Sequence, residues 1–223
     1  MNGKHTLPAD IERTSMAIIR QEIAARGVVL QEENAPVILR VIHATADFDF
    51  LKNLHFSENA AARGAHALQQ GIPIVTDTNM ARSGISRPGL ERLGAAVHCF
   101  MAEPEIAARA KQEGTTRAVA AMRYAADRMP GAILAVGNAP TALLQIADEI
   151  EAGLRPALVV AVPVGFVNVV ESKERIVAAC QAHDVPVIAA MGRKGGSSVA
   201  AAILNALIYT AADLLDPAAR GWG

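Results

Sequence analysis

Residues 131–173, GAILAVGNAPTALLQIADEIEAGLRPALVVAVPVGFVNVVESK, hold the pattern that decides the fold. Two brief aliphatic and β-branched runs, 132–136 and 157–162, have no polar face, which predicts strands buried on both sides. Residues 141–153 between them have the length and spacing of one helix. Strand, helix, strand with a short return is the parallel βαβ crossover. Open parallel sheets bind ligands beyond the carboxyl ends of their strands. Here those ends are Gly137-Asn138-Ala139-Pro140 and Pro163-Val164-Gly165-Phe166.

Outward from this unit the alternation continues. On the carboxyl side, 172–183 reads as a helix and 185–190 as a strand. Gly192-Arg193-Lys194-Gly195-Gly196-Ser197-Ser198 then leads into an apolar helix, 199–207. A glycine-rich turn between strand and helix is a ready anion site, to which Arg193 and Lys194 add charge. The G-x-x-x-x-G-K-[ST] order is absent, which speaks against ATP or GTP hydrolysis. On the amino side, 72–76 and 95–100 read as strands, and 57–70, 103–114 and 116–129 as helices. Arg117 opens the last of these, where free backbone N–H groups favour an anion. Asp77-Thr78-Asn79-Met80 closes the 72–76 strand, and two oxygen ligands without a third read as a turn or cap rather than a metal site.

Five strands alternating with helices predict a three-layer α/β/α protein with a five-stranded parallel, flavodoxin-like sheet in the order 2-1-3-4-5 and extra amino-terminal helices. Its switch, between the first and third strands, brings 77–79 and 137–141 around one crevice. That crevice is the expected site, with Asp77 and Asn138 as candidate binding residues.

The amino-terminal helices are 9–26, carrying Ser15 and stopped by Gly27, and 34–46. In the second, Val37, Ile38, Val41 and Ile42 form one apolar stripe. At about 100° per residue, Arg40 and His43 share a face nearly opposite it. An always-charged arginine beside a titratable histidine suits an anionic ligand that needs a proton. Phe48 and Phe50 anchor the following loop, where either Asp47 or Asp49 could orient His43. His5, His55, His66, His98 and His183 have no partner spacing and read as structural or surface residues.

Composition narrows the function classes. The 223 residues form one core with no linker, so a single domain spanning 1–223 is expected. Net charge is -1, from 21 basic and 22 acidic residues interspersed, which gives no footprint for nucleic acid. The longest apolar run is broken by Pro163, Gly165 and Asn168, short of the ~18 residues of a membrane span. The amino terminus, MNGKHTLPADIER, has no apolar signal core, so a cytoplasmic location is expected. Cys99 and Cys180 have neither disulfide nor zinc spacing and read as buried thiols. A hydrophobic fraction of 52% favours a subunit interface.

GNAPTAL followed by PVGFVNVVESKE resembles the precorrin-8X and cobalt-precorrin-8 methylmutases. The likeness extends in order through RVIHATADFDF, IVTDTNM, the Gly84-Ile85 pair, EGTTR and GRKGGSSVAAAILNAL, and covers all but the chain ends. It implies an isomerase of corrin (cobalamin) biosynthesis, which moves one methyl group from carbon 11 to carbon 12 of a tetrapyrrole and gives hydrogenobyrinate or cobyrinate. It implies His43 as proton donor and acceptor. Substrate contacts fall on Ser15, Arg40, Arg117 and the Gly195-Gly196-Ser197 turn, beside Asp77 and Asn138 of the crevice. The family also implies a homodimer whose amino-terminal helices close the pocket. An intramolecular shift demands no methyl donor, redox cofactor, nucleophile or metal. Thr78-Asn79 after Asp77 departs from some relatives and leaves the role of that turn open. The alternatives from other classes are a flavodoxin-like nucleotide- or phosphate-binding protein and a non-catalytic corrinoid carrier.

Overall fold

The aliphatic runs fold as read, into strands whose side chains are sealed on both faces. A computed structural model describes residues 7–220, so His5 lies outside the described residues. The helices are α1 (Pro8–Ala25), α2 (Ala35–Thr45), α3 (Phe50–Asn53), α4 (Ala60–Gln69), α5 (Asn79–Gly84), α6 (Arg87–Leu93), α7 (Pro104–Gln112), α8 (Arg117–Arg128), α9 (Pro140–Glu151), α10 (Val169–Ala182) and α11 (Ser197–Ala211), with a 3-10 turn at Pro217–Arg220. The strands are β1 (Leu54–Phe56), β2 (Ile74–Thr76), β3 (Val97–His98), β4 (Ile133–Val136), β5 (Leu158–Ala161) and β6 (Val187–Ala190).

They form one sheet in the order β1-β6-β5-β4-β2-β3. β2 to β6 are mutually parallel, with Ile133 opposite Leu158 and Val159 opposite Val187, whereas β1 runs antiparallel to β6 with His55 opposite Ala189. The architecture is therefore mixed α/β, and the sheet has six strands rather than the expected five. The extra strand, β1, is three residues long and follows α3 directly, so no turn signal announces it. The expected 95–100 strand contracts to the two residues of β3.

Strand residues alternate between two cores, because successive side chains point to opposite faces. Ile133, Ala135, Leu158, Val160 and Ile188 face one, with α2, α4 and α11. Leu134, Val136, Val159, Ala161 and Val187 face the other, with α8, α9 and α10. Each fully buried Val, Leu or Ile is worth about 1.5–3 kcal/mol. α11 is buried nearly all round, from Ser197 to Tyr209, and packs against α2, α4, α5 and α6. It is the post against which the site is assembled. Cys99 and Cys180 are buried free thiols, and no helix among the described residues is long and apolar enough to cross a membrane.

Candidate active site

Residues three apart on a helix share a face, and two such pairs meet where α1 crosses α2. Glu12 and Ser15 come from α1, Arg40 and His43 from α2. The Arg40 guanidinium donates to Glu12 Oε1 at 2.6 Å, and Ser15 Oγ lies 2.8 Å from His43 Nδ1. The 3-10 turn closes the cluster, with Arg220 donating to both Glu12 oxygens at 2.9 and 2.8 Å. Tyr209 of α11 lies under both cations, with Arg220 at 4.0 Å and Arg40 at 5.1 Å from the ring centroid. Such stacking favours a desolvated guanidinium.

His43, Arg40, Glu12, Tyr209 and Ser198 line a cavity of about 850 Å³, within the range of small-molecule sites. Burial, and then the positive charge of Arg40, holds the His43 imidazole below its ordinary pKa; Glu12 works against them and Arg220 with them. The lowered pKa favours the neutral ring, whose Nδ1 is held by Ser15. No partner of Nε2 is found among the described residues. A neutral, oriented imidazole on a wall with arginines is equipped to exchange one proton with an anionic ligand.

Other expected site residues stand differently. Neither Asp47 nor Asp49 orients His43: Lys194 Nζ takes both, at 2.7 and 2.6 Å, and Ser15 does the orienting. Asp77 is 1% exposed, and its two carboxylate oxygens accept the backbone N–H groups of Gly137, Asn138 and Ala139 at 2.8–2.9 Å. It holds the β4–α9 turn rather than facing the cavity. Thr78, whose role the sequence left open, caps α5 through the Ala81 N–H and pairs with Ser197 Oγ at 2.8 Å. Ser198, not Ser197, reaches the cavity. Arg117 is exposed at the start of α8, beside Thr116, whose hydroxyl lies 3.2 Å from that of Thr141. It and Asn138 thus stand near the carboxyl edge of the sheet but outside the His43 cavity. Among the described residues, no cluster of three or more His, Cys, Asp or Glu stands together as a metal site.

The glycine-rich turn is inward-looking. Gly196 N–H donates to the Val162 carbonyl at 2.8 Å. Lys173, fully buried, donates to the Gly192 and Lys194 carbonyls, both at 2.8 Å, and burial lowers its pKa to about 8. With Lys194 held by Asp47 and Asp49, the turn is a brace between α11 and the end of α2, which disfavours the phosphate-binding alternative. Gly195 is indispensable to it: at φ +157° a Cβ would collide with the Val162 carbonyl oxygen and lie 2.8 Å from that of Pro163. Gly195→Ala is expected to cost about 2 kcal/mol or more, read as a lowered urea midpoint at unchanged m. Wild-type stability would mean that the turn does not approach β5 as described.

Sequence reasoning missed Glu12, Tyr209 and Arg220. Glu12 sits three residues before Ser15, which is a legible signal; Tyr209 and Arg220 join only through the tertiary fold.

The fold and site define an α/β protein with a serine-held histidine on the wall of an arginine-bearing cavity of about 850 Å³. The chain belongs to the precorrin-8X methylmutase family, whose model matches residues 10–210. It is 45% identical over 174 residues to the cobalt-precorrin-8 methylmutase of Salmonella typhimurium, covering 78% of this chain and 80% of that one. It is 40% identical over 207 residues to that of Leptospira interrogans, covering 91% and 93%. Among solved structures it resembles the precorrin-8X methyl mutase of Thermus thermophilus, with a TM-score of 0.81, 42% identity and coverage of 91% and 98%.

Proposed function

We propose that this protein is an isomerase of cobalamin biosynthesis that moves a methyl group from carbon 11 to carbon 12 of precorrin-8X or its cobalt form, with His43 giving and recovering the one proton required. The family membership supports the reaction. The observation that carries the mechanism is the Ser15–His43 pair on the wall of the 850 Å³ cavity. One carbon–methyl bond breaks and another forms within the same molecule, so substrate and product are isomers. No methyl donor or electron carrier enters the balance, and the proton that His43 donates returns to it. Ser15 fixes the ring, burial and then Arg40 hold its pKa down in the free protein, and ligand carboxylates raise it again. Arg117 and Asn138, exposed outside the cavity, serve the periphery of a macrocycle larger than the His43 cavity. The same reading takes residues 1–223 as one domain working as a cytoplasmic homodimer.

The test is conversion of the purified protein's substrate after exhaustive dialysis against chelator and without S-adenosylmethionine, followed by the visible spectrum. Undiminished turnover is expected. A strict requirement for an added cofactor would overturn the mechanism.

A further inference from the structure

The cavity wall carries more positive than negative charge. Arg40, Arg92 and Arg220 line it with a single carboxylate, Glu12. That carboxylate is already shared between Arg40 and Arg220. Arg220 is further occupied by the Leu214 and Leu215 carbonyls, at 2.8 and 2.9 Å. Arg92 alone of the three has no hydrogen-bond or ion-pair partner among the described residues. Its backbone is nevertheless fixed. Asn205 of α11 accepts the Ser86 N–H and donates to the Gly84 carbonyl, both at 2.8 Å, which clamps both ends of the α5–α6 junction. Gly89 lets α6 lie against α11, since a Cβ there would collide with Ile208. An unpartnered guanidinium is thus carried on a fixed mount at the wall of a cavity that bears three arginines and one carboxylate.

We propose that Arg92 is a specificity-determining residue that binds one peripheral carboxylate of the tetrapyrrole, while Arg40, committed to Glu12, acts on His43 through its charge. This rests on the methylmutase reading above. A guanidinium meets a carboxylate in two parallel hydrogen bonds, a geometry that a lysine ammonium cannot reproduce. The carboxylate keeps its charge through the methyl shift, so the contact stabilises ground and transition states alike.

The experiment is titration of wild-type, Arg92→Gln, Arg92→Lys and Arg87→Gln proteins with the product hydrogenobyrinate, followed by its absorbance at several salt concentrations, with kcat and KM measured alongside. Arg87 lies on the same helix, is exposed and does not line the cavity, so its substitution removes the same charge without the contact. Arg92→Gln is expected to raise Kd by about 10- to 100-fold, as for a lost charge-assisted hydrogen bond, with the loss in KM rather than kcat and a shallower dependence on salt. Arg92→Lys should recover part of the affinity and Arg87→Gln nearly all of it. Tight wild-type binding with an unchanged Arg92→Gln Kd would overturn this assignment alone. So would an equal loss in Arg87→Gln, or a loss confined to kcat. A wild-type protein that does not bind the tetrapyrrole would overturn the functional reading, and this assignment with it.

Discussion

His43→Ala is expected to keep its fold and its tetrapyrrole affinity while losing about two to four orders of magnitude in turnover. The ring packs at the end of α2 with one hydrogen bond, to Ser15, so its removal leaves a small, partly open space rather than a core cavity. What disappears, on the mechanism proposed above, is the proton donor. Single-turnover absorbance on the variant follows substrate becoming product directly, and a near-wild-type rate there would dismiss His43 from the chemistry. The charge state provides an independent check. In the free protein, burial and Arg40 hold the pKa below 6.5. The NMR titration midpoint of His43 should therefore lie below 6.5 and move upward on product binding, when carboxylates offset the arginines.

Glu12→Gln is the substitution expected to damage stability most among the site residues. The Glu12 side chain is 7% exposed, between Arg220 at 5% and Arg40 at 14%. Removing one partner of a buried ionic cluster leaves uncompensated charge and costs about 3–5 kcal/mol. Two guanidiniums would here be stranded beside each other. The same carboxylate ties the Pro217–Arg220 turn to α1, so limited proteolysis should cut the carboxyl-terminal segment sooner in the variant. It is also the one neighbour that raises the His43 pKa, so the histidine midpoint should fall further. A stability loss under about 1 kcal/mol would show that water screens the cluster.

Much of this was legible in the chain. The runs of β4, β5 and β6 are short, aliphatic, without a polar face and followed by turn residues, and they fold as strands buried at every position. The Arg40–His43 face followed from helix geometry alone, and the family resemblance supplied Ser15. β1 stayed hidden because its three residues follow a helix without a break and its burial is only partial. The ionic cluster stayed hidden for a different reason: Glu12 and Arg220 are 208 positions apart, and no local pattern encodes a contact at that distance. Asp77 looked like a ligand residue because carboxylates at strand ends often are. Its engagement with three consecutive amides depends on β4 lying beside β2.

The antiparallel ribbon β1 bears on how this molecule meets others of its kind. An uncovered β6 would offer a row of free amides and carbonyls on an entirely apolar strand, the template on which chains stack edge to edge into aggregates. Leu54–Phe56 occupies that row. The opposite rim is β3, only two residues long, too short to recruit a further strand. The sheet thus ends at both rims in strands of three and two residues, which leaves little edge for a further chain to pair with.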